Sequence, residues 1–144
     1  MFNSILVVCV GNICRSPTGE RLLKKLLPNI KIDSAGVGAL VGHEADRTAQ
    51  EVAASNGISL ERHIAKQLTS DLCQKYDLIL VMEKKHIEAV SNIAPFARGK
   101  TMLYGHWLNK RDVPDPYKQS RESFEFVFAL LDEASITWAK AINR

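Results

Sequence analysis

Residues 4–9, Ser-Ile-Leu-Val-Val-Cys, form a continuous apolar, partly β-branched run that gives way to Gly11-Asn12. A run of this kind reads as a strand buried on both faces of a parallel sheet. Beyond it, Ser16-Pro17 opens a helix over residues 18–27. Leu22, Leu23, Leu26 and Leu27 recur there at helical spacing, Ser16 is placed to cap it, and Pro17 suits its first turn. Pro28 ends that helix. Residues 30–34 alternate as a short second strand, and Ala35-Gly36-Val37-Gly38 turns away from it. Residues 46–56 predict a helix with Asp46 as cap, Ala49, Val52 and Ala53 on one face, and Gly57 at its end. A short helix begins at Thr69-Ser70-Asp71-Leu72. Residues 77–82 are a second fully apolar strand, followed by a helix over 83–93, then Pro95 and a shorter strand over 100–104. Residues 105–119 hold two prolines and no period, and a loop of that length inside a compact domain is usually functional. Residues 120–142 read as an amphipathic helix, with Ser120 and Ser123 as candidate caps. Its buried stripe is Phe124, Val127, Phe128, Leu131, Ala134 and Trp138.

Strands alternating with helices predict one open α/β domain, with ligands bound beyond the carboxyl ends of the strands. The 144 residues are enough for a real core and call for no second domain. Nineteen basic and sixteen acidic side chains are scattered evenly, which argues against nucleic acid or a membrane surface as partner. The first residues lack a basic leader region, and the run at 5–10 is too short to span a bilayer, so a cytoplasmic protein is expected. Cysteines at 9, 14 and 73 are odd in number and lack metal-ligand spacing, so free thiols are expected, with neither a disulfide framework nor a metal or other cofactor.

The chemistry concentrates in residues 9–16, Cys9-Val10-Gly11-Asn12-Ile13-Cys14-Arg15-Ser16. A cysteine at the junction of a strand and a helix meets backbone N–H groups that converge on one point, an arrangement that holds an oxyanion and equally favours a charged sulfur. Arg15, six positions on, falls where one curl of chain brings its planar fork back over the same anion. Gly11 is expected to supply the backbone freedom such a curl needs, and Asn12 to pin a left-handed turn. Ser16 is placed to donate a hydrogen bond to Cys9, or simply to cap the helix. Cys14 has its amide toward the anion and its thiol near enough to Cys9 for an oxidant to close a disulfide. Read blandly, Cys9 is a buried structural cysteine near a surface arginine, and Cys73 is inert core. Asp115-Pro116, taken alone, is a common turn opener.

Residues 8–17, with Asp115-Pro116-Tyr117, Ser34-Ala35-Gly36 and residues 76–83, resemble the low-molecular-weight protein-tyrosine phosphatases over essentially the whole chain. The likeness is to the bacterial capsule- and exopolysaccharide-operon type, Wzb- and Etp-like. The resemblance implies a single domain over residues 1–144 with four parallel strands in the order 2-1-3-4 and helices on both faces. It implies a Cys9 nucleophile, phosphate held by residues 10–16 and Arg15, and Asp115 as the acid that protonates the leaving phenol. Asp112 is a nearby competitor outside the motif. Ser34 and His63 match positions that buttress the loop through Asn12. Ile13, Leu40 and Tyr117 are expected to wall the substrate cleft, with His106 and Trp107 either at its mouth or buried as anchors. Lys118 stands where eukaryotic relatives carry a second tyrosine. The implied partner is a phosphotyrosine protein, specifically an inner-membrane tyrosine autokinase met by a monomeric phosphatase. Arsenate reductase and protein-arginine phosphatase share the scaffold. The first needs two further cysteines outside the loop where only Cys73 exists, and the second has threonine where this chain has Ile13.

Overall fold

In the computed structural model, which describes residues 2–143, four strands build one parallel sheet: β1 (Ser4–Cys9), β2 (Lys31–Gly36), β3 (Leu78–Val81) and β4 (Thr101–Leu103), in the order β2-β1-β3-β4. The five helices are α1 (Arg15–Leu26), α2 (Arg47–Ser55), α3 (Ser70–Gln74), α4 (Lys84–Ile93) and α5 (Arg121–Ile142), and a 3-10 turn at Pro95–Lys100 leads into β4. The expected open α/β sheet and its strand order are both present. Alternation along each strand divides the core in two. Ile5, Val7, Leu78 and Leu80 face one layer with α1, α2 and α5, whose Leu23, Val52, Leu131 and Trp138 fill it. Leu6, Val8, Ile79 and Val81 face the other, where Cys73, Tyr76, Val90 and Ala97 pack. Both faces of β1 and β3 are therefore covered, which is why their sequences show no polar alternation. Cys73 lies in this second layer, fully buried.

Asp46 caps α2 by accepting the Ala49 N–H, and Ser120 caps α5 by accepting the Ser123 N–H, so Ser123 is the donor and not the cap. Gly57 closes the turn after α2 at φ +78°, a conformation that suits glycine. Several boundaries differ from the sequence reading by a residue or more, and three of them have a clear cause. Helix α1 starts at Arg15, with Cys14 as a cap residue that makes no side-chain bond, so Ser16 lies inside the first turn and its hydroxyl is left for other work. β2 runs on to Gly36, because Ala35 and Gly36 pair with Val8 and Cys9. β4 is three residues long because Lys100 belongs to the preceding turn and Tyr104 to the following one. Among the described residues, no helix is long and apolar enough to cross a membrane.

Candidate active site

The carboxyl end of β1 runs directly into the amino end of α1, and residues 9–15 bridge the two in a tight curl. Its carbonyls are bonded on the outside. Val37 N–H reaches the Cys9 carbonyl (3.0 Å), Gly38 that of Val10 (3.0 Å), Leu40 that of Gly11 (3.1 Å) and Asp46 that of Ile13 (2.8 Å). His63 Nε2 donates to the Asn12 carbonyl (2.6 Å) and Thr18 Oγ1 to that of Cys14 (3.0 Å). With the oxygens turned outward, the N–H groups of the same peptides line the inner side, at the positive end of α1, which makes the curl an anion nest. The residue that takes the left-handed conformation is Asn12, at φ 59°. Gly11 does not: a side chain there would meet only Ile13 and Leu40 at ordinary contact distance. The glycine that the curl requires is Gly36, where a Cβ would overlap the carbonyl oxygen of Val10.

Asn12, Ser16 and Ser34 are buried and joined in one chain of hydrogen bonds whose direction is set at its far end. Glu20 is a carboxylate and only accepts, so Ser34 Oγ donates to it (2.6 Å). Ser34 therefore accepts from Asn12 Nδ2 (3.0 Å), whose other hydrogen goes to Ser16 Oγ (2.7 Å). The Lys66 N–H bonded to Asn12 Oδ1 (3.0 Å) fixes the amide the right way round. Ser16 is left with its own hydrogen to donate to Cys9 Sγ, 2.9 Å away. The Cys9 sulfur thus receives a donor hydrogen bond at the amino end of α1. Burial pushes the Cys14 thiol up, with the Asp46 and Cys9 charges adding to the effect, so Cys14 stays protonated. Cys9, Cys14 and Cys73 are all free thiols.

Arg15 is 2% exposed and enters the site from the first turn of α1. Its Nη1 donates to Glu83 Oε2 (2.6 Å) and to the Val113 carbonyl (2.9 Å). Both hydrogens of that nitrogen are used, while among the described residues no hydrogen bond is donated by Nε or Nη2. The Nε/Nη2 edge is thus the fork that remains to grip two oxygens of an anion. Asp115 Oδ2 lies 3.8 Å from Nη2, half exposed, across the mouth of the site. Its Oδ1 accepts the Tyr117 N–H (3.0 Å), a local turn that fixes the carboxylate relative to the aromatic ring. Asp112 faces away, bonded to the Lys84 N–H (2.9 Å).

These groups enclose a cavity of about 200 Å³. Cys9, Val10, Gly11, Ile13, Cys14, Arg15, Gly38, Leu40, Asp115 and Tyr117 line it. Asn12 and Ser16 sit behind the loop, buried, and Ser34 and His63 behind them. Burial pushes the His63 imidazole below its ordinary value, so it is a neutral donor to Asn12. His106 and Trp107 do not line the cavity. They pack against one another and against Trp138, edge-on or tilted with ring centroids 4.7 to 6.0 Å apart, as anchors of the long loop. Glu20, Glu83 and the Val113 carbonyl escaped the sequence reading. Glu83 directly follows the apolar run of β3, at the carboxyl end of a central strand where sites assemble, and that position is the signal that could have found it. Among the described residues no group of three or more His, Cys, Asp or Glu is placed to hold a metal.

A nest of backbone N–H groups with a cysteine sulfur at its centre, an arginine fork above it and an aspartate opposite is an arrangement that can hold an oxyanion against a nucleophile. A family model described as low molecular weight phosphotyrosine protein phosphatase matches residues 4–144. The probable low molecular weight protein-tyrosine-phosphatase AmsI of Erwinia amylovora is 60% identical over 144 residues, all of both chains. Low molecular weight protein-tyrosine-phosphatase Etp of Escherichia coli strain K12 is 57% identical over 143 residues, 99% of this chain and 97% of that one. The solved structure of Vibrio vulnificus Wzb in complex with benzylphosphonate matches with a TM-score of 0.97 at 59% identity, covering 98% of this chain and 99% of that one. Fold, loop and likeness agree: the chain belongs to the low molecular weight phosphotyrosine protein phosphatase family.

Proposed function

We propose that this chain hydrolyses phosphotyrosine in proteins through a phosphocysteine intermediate. The observation that carries the reading is Cys9 lining the cavity, with Ser16 at 2.9 Å from its sulfur and the Arg15 fork and Asp115 facing it. In the first step the Cys9 thiolate attacks phosphorus in line. The S–P bond forms as the P–O bond to the ring breaks, and the departing phenolate takes the Asp115 proton. The loop amides and Arg15 Nε and Nη2 hold the equatorial oxygens as charge shifts among them. In the second step water attacks phosphorus and gives its proton to the Asp115 carboxylate. The S–P bond breaks, phosphate leaves and the thiolate returns. Ser16, oriented from Glu20 through Ser34 and Asn12, stabilises the sulfur as attacking and as leaving group.

An aromatic substrate suits the walls. Ile13, Leu40 and Tyr117 are among the residues that line the cavity, and a phenyl ring stacked on Tyr117 gains about 0.5 to 1.5 kcal/mol. Benzylphosphonate, the compound bound to the Wzb relative, is a phosphonate on a benzyl group, chemically close to the end of a phosphotyrosine side chain. Likeness to the Wzb and Etp type further supports an autophosphorylating tyrosine kinase of the inner membrane as the substrate. The enzyme would act in the cytoplasm as a monomer and influence capsule or exopolysaccharide production. The test offers purified protein a phosphotyrosine peptide, a phosphoserine peptide, a phosphoarginine peptide, and arsenate with thioredoxin. Turnover of the first, lost in Cys9→Ser, is expected. Preference for any other substrate overturns the assignment.

A further inference from the structure

We propose that Glu83 is a positioning residue for Arg15: it selects which edge of the guanidinium faces the phosphate, and does so from outside the loop. This rests on reading the loop as a phosphoryl-transfer site. An arginine on a flexible stem can present any of its edges to an anion, and only one orientation lets the fork lie over a nucleophile bonded to phosphorus. Here the choice is made before any ligand arrives. Glu83 Oε2, at 2.6 Å, and the Val113 carbonyl, at 2.9 Å, take the two hydrogens of Nη1, and the Nε/Nη2 edge is what remains. The two acceptors come from separate elements, the end of β3 and the loop before Asp115, so the guanidinium is clamped in its own plane.

Glu83 is itself held. Its backbone N–H donates to His86 Nδ1 (3.2 Å) one turn into α4, which leaves the neutral imidazole with its proton on Nε2, 3.6 Å from Glu83 Oε2. His86 is buried, and Nε2 has no hydrogen-bond partner among the described residues. The Lys85 ammonium lies 3.7 Å from the other carboxylate oxygen. Burial alone would raise the Glu83 carboxyl, but the hydrogen bond and charge of Arg15 outweigh it and hold the group below its ordinary value. It remains an anion while phosphate binds. Phosphate therefore meets a guanidinium whose conformational freedom has already been removed, which is the condition for full electrostatic benefit in the transition state.

The test is a double-mutant cycle read on kcat for an aryl phosphate and, separately, on the dissociation constant of inorganic phosphate. Glu83→Ala in the otherwise unchanged chain is expected to lower kcat by about 10²-fold, the scale of a small misplacement of a catalytic group. It should also weaken phosphate binding by roughly tenfold or more. Glu83→Gln keeps an acceptor of the same shape and guards against loss of fold, and its effect should be smaller in both readouts. In an Arg15→Ala background, Glu83→Ala should change neither quantity further, because its only route to the phosphate is gone. Equal losses in both backgrounds, or unchanged kcat and phosphate binding in Glu83→Ala, would overturn the proposal. The phosphate-binding arm decides the role of Glu83 even if the wild-type chain hydrolyses no phosphotyrosine, so the two readings fail separately.

Discussion

Ser16 has one proton to give, and the bonds behind it decide where that proton points. Because Glu20 can only accept, the polarity runs outward through Ser34 and Asn12 until Ser16 has only the sulfur left to serve. Ser16→Ala should lower kcat for phosphotyrosine by about tenfold, the scale of one hydrogen bond to a charged group. Steady-state rates corrected for active-site titre measure this, and an unchanged kcat would mean that the sulfur does not depend on the serine. Asp115→Asn removes the transferable proton while keeping the shape, and should slow phosphocysteine formation by roughly 10² to 10⁴. The slowing should shrink for aryl phosphates whose phenolates leave unaided, so rates across a series of substituted phenols show whether Asp115 protonates the leaving oxygen. Much at this scale was legible. The left-handed Asn12, the Ser16 hydroxyl near Cys9, and the Ser34 and His63 contacts to Asn12 lie where the residues and the family likeness suggested. Glu20 and Glu83 were not legible, because a carboxylate in a helix or at a strand end ordinarily reads as a solvated charge. Only three-dimensional contact shows Glu20 buried and Glu83 paired with an arginine.

At the level of elements, the loop and α1 share residues that sequence patterning treats as separate. Hydrophobic periodicity begins at Leu22, and Ser-Pro is a strong start signal, so the helix was expected to begin near residue 18 with Ser16 as cap. It begins at Arg15 because the curl feeds straight into the first turn, and an anion in the nest would take the place of a capping side chain. For the same reason β2 extends past the apparent Ala35-Gly36 turn: the strand end is what the curl leans on. Gly36→Ala tests this directly. Its methyl would overlap the Val10 carbonyl, so the loop must move, and overpacking of this kind costs about 1 to 3 kcal/mol. Urea unfolding and phosphate affinity should fall together in this variant. Retained affinity alongside lost stability would show the loop to be independent of β2. Gly11→Ala, whose methyl meets Ile13 and Leu40 only at ordinary contact distance, should leave stability nearly unchanged.

Over the whole molecule, the architecture could be read from the sequence because β1 and β3 are buried on both faces and the helices are long and periodic. The exclusion of Trp107 from the cleft and its packing on Trp138 depended on contacts that no local pattern carries. Two buried histidines give the fold an acid limit. Burial pushes both His63 and His86 below the ordinary 6.5, with the Arg15 charge adding to the effect at His86. Below that pH the unfolded chain binds protons that the native state refuses, so their contribution is full above pH 6.5 and is lost as pH falls through and beneath it. Tm followed from about pH 8 to about pH 5 should drop on the acid side, and His86→Gln should flatten that slope. An equal slope in the variant would assign the acid sensitivity elsewhere. The claim on which the rest depends is covalent transfer through Cys9, and its most direct test is rapid acid quenching of a reaction with a phosphotyrosine peptide, followed by mass mapping of the protein. The account predicts one phosphoryl group on the peptide containing Cys9, absent in Cys9→Ser; label on any other residue, or burst-phase turnover with no labelled protein, would contradict it.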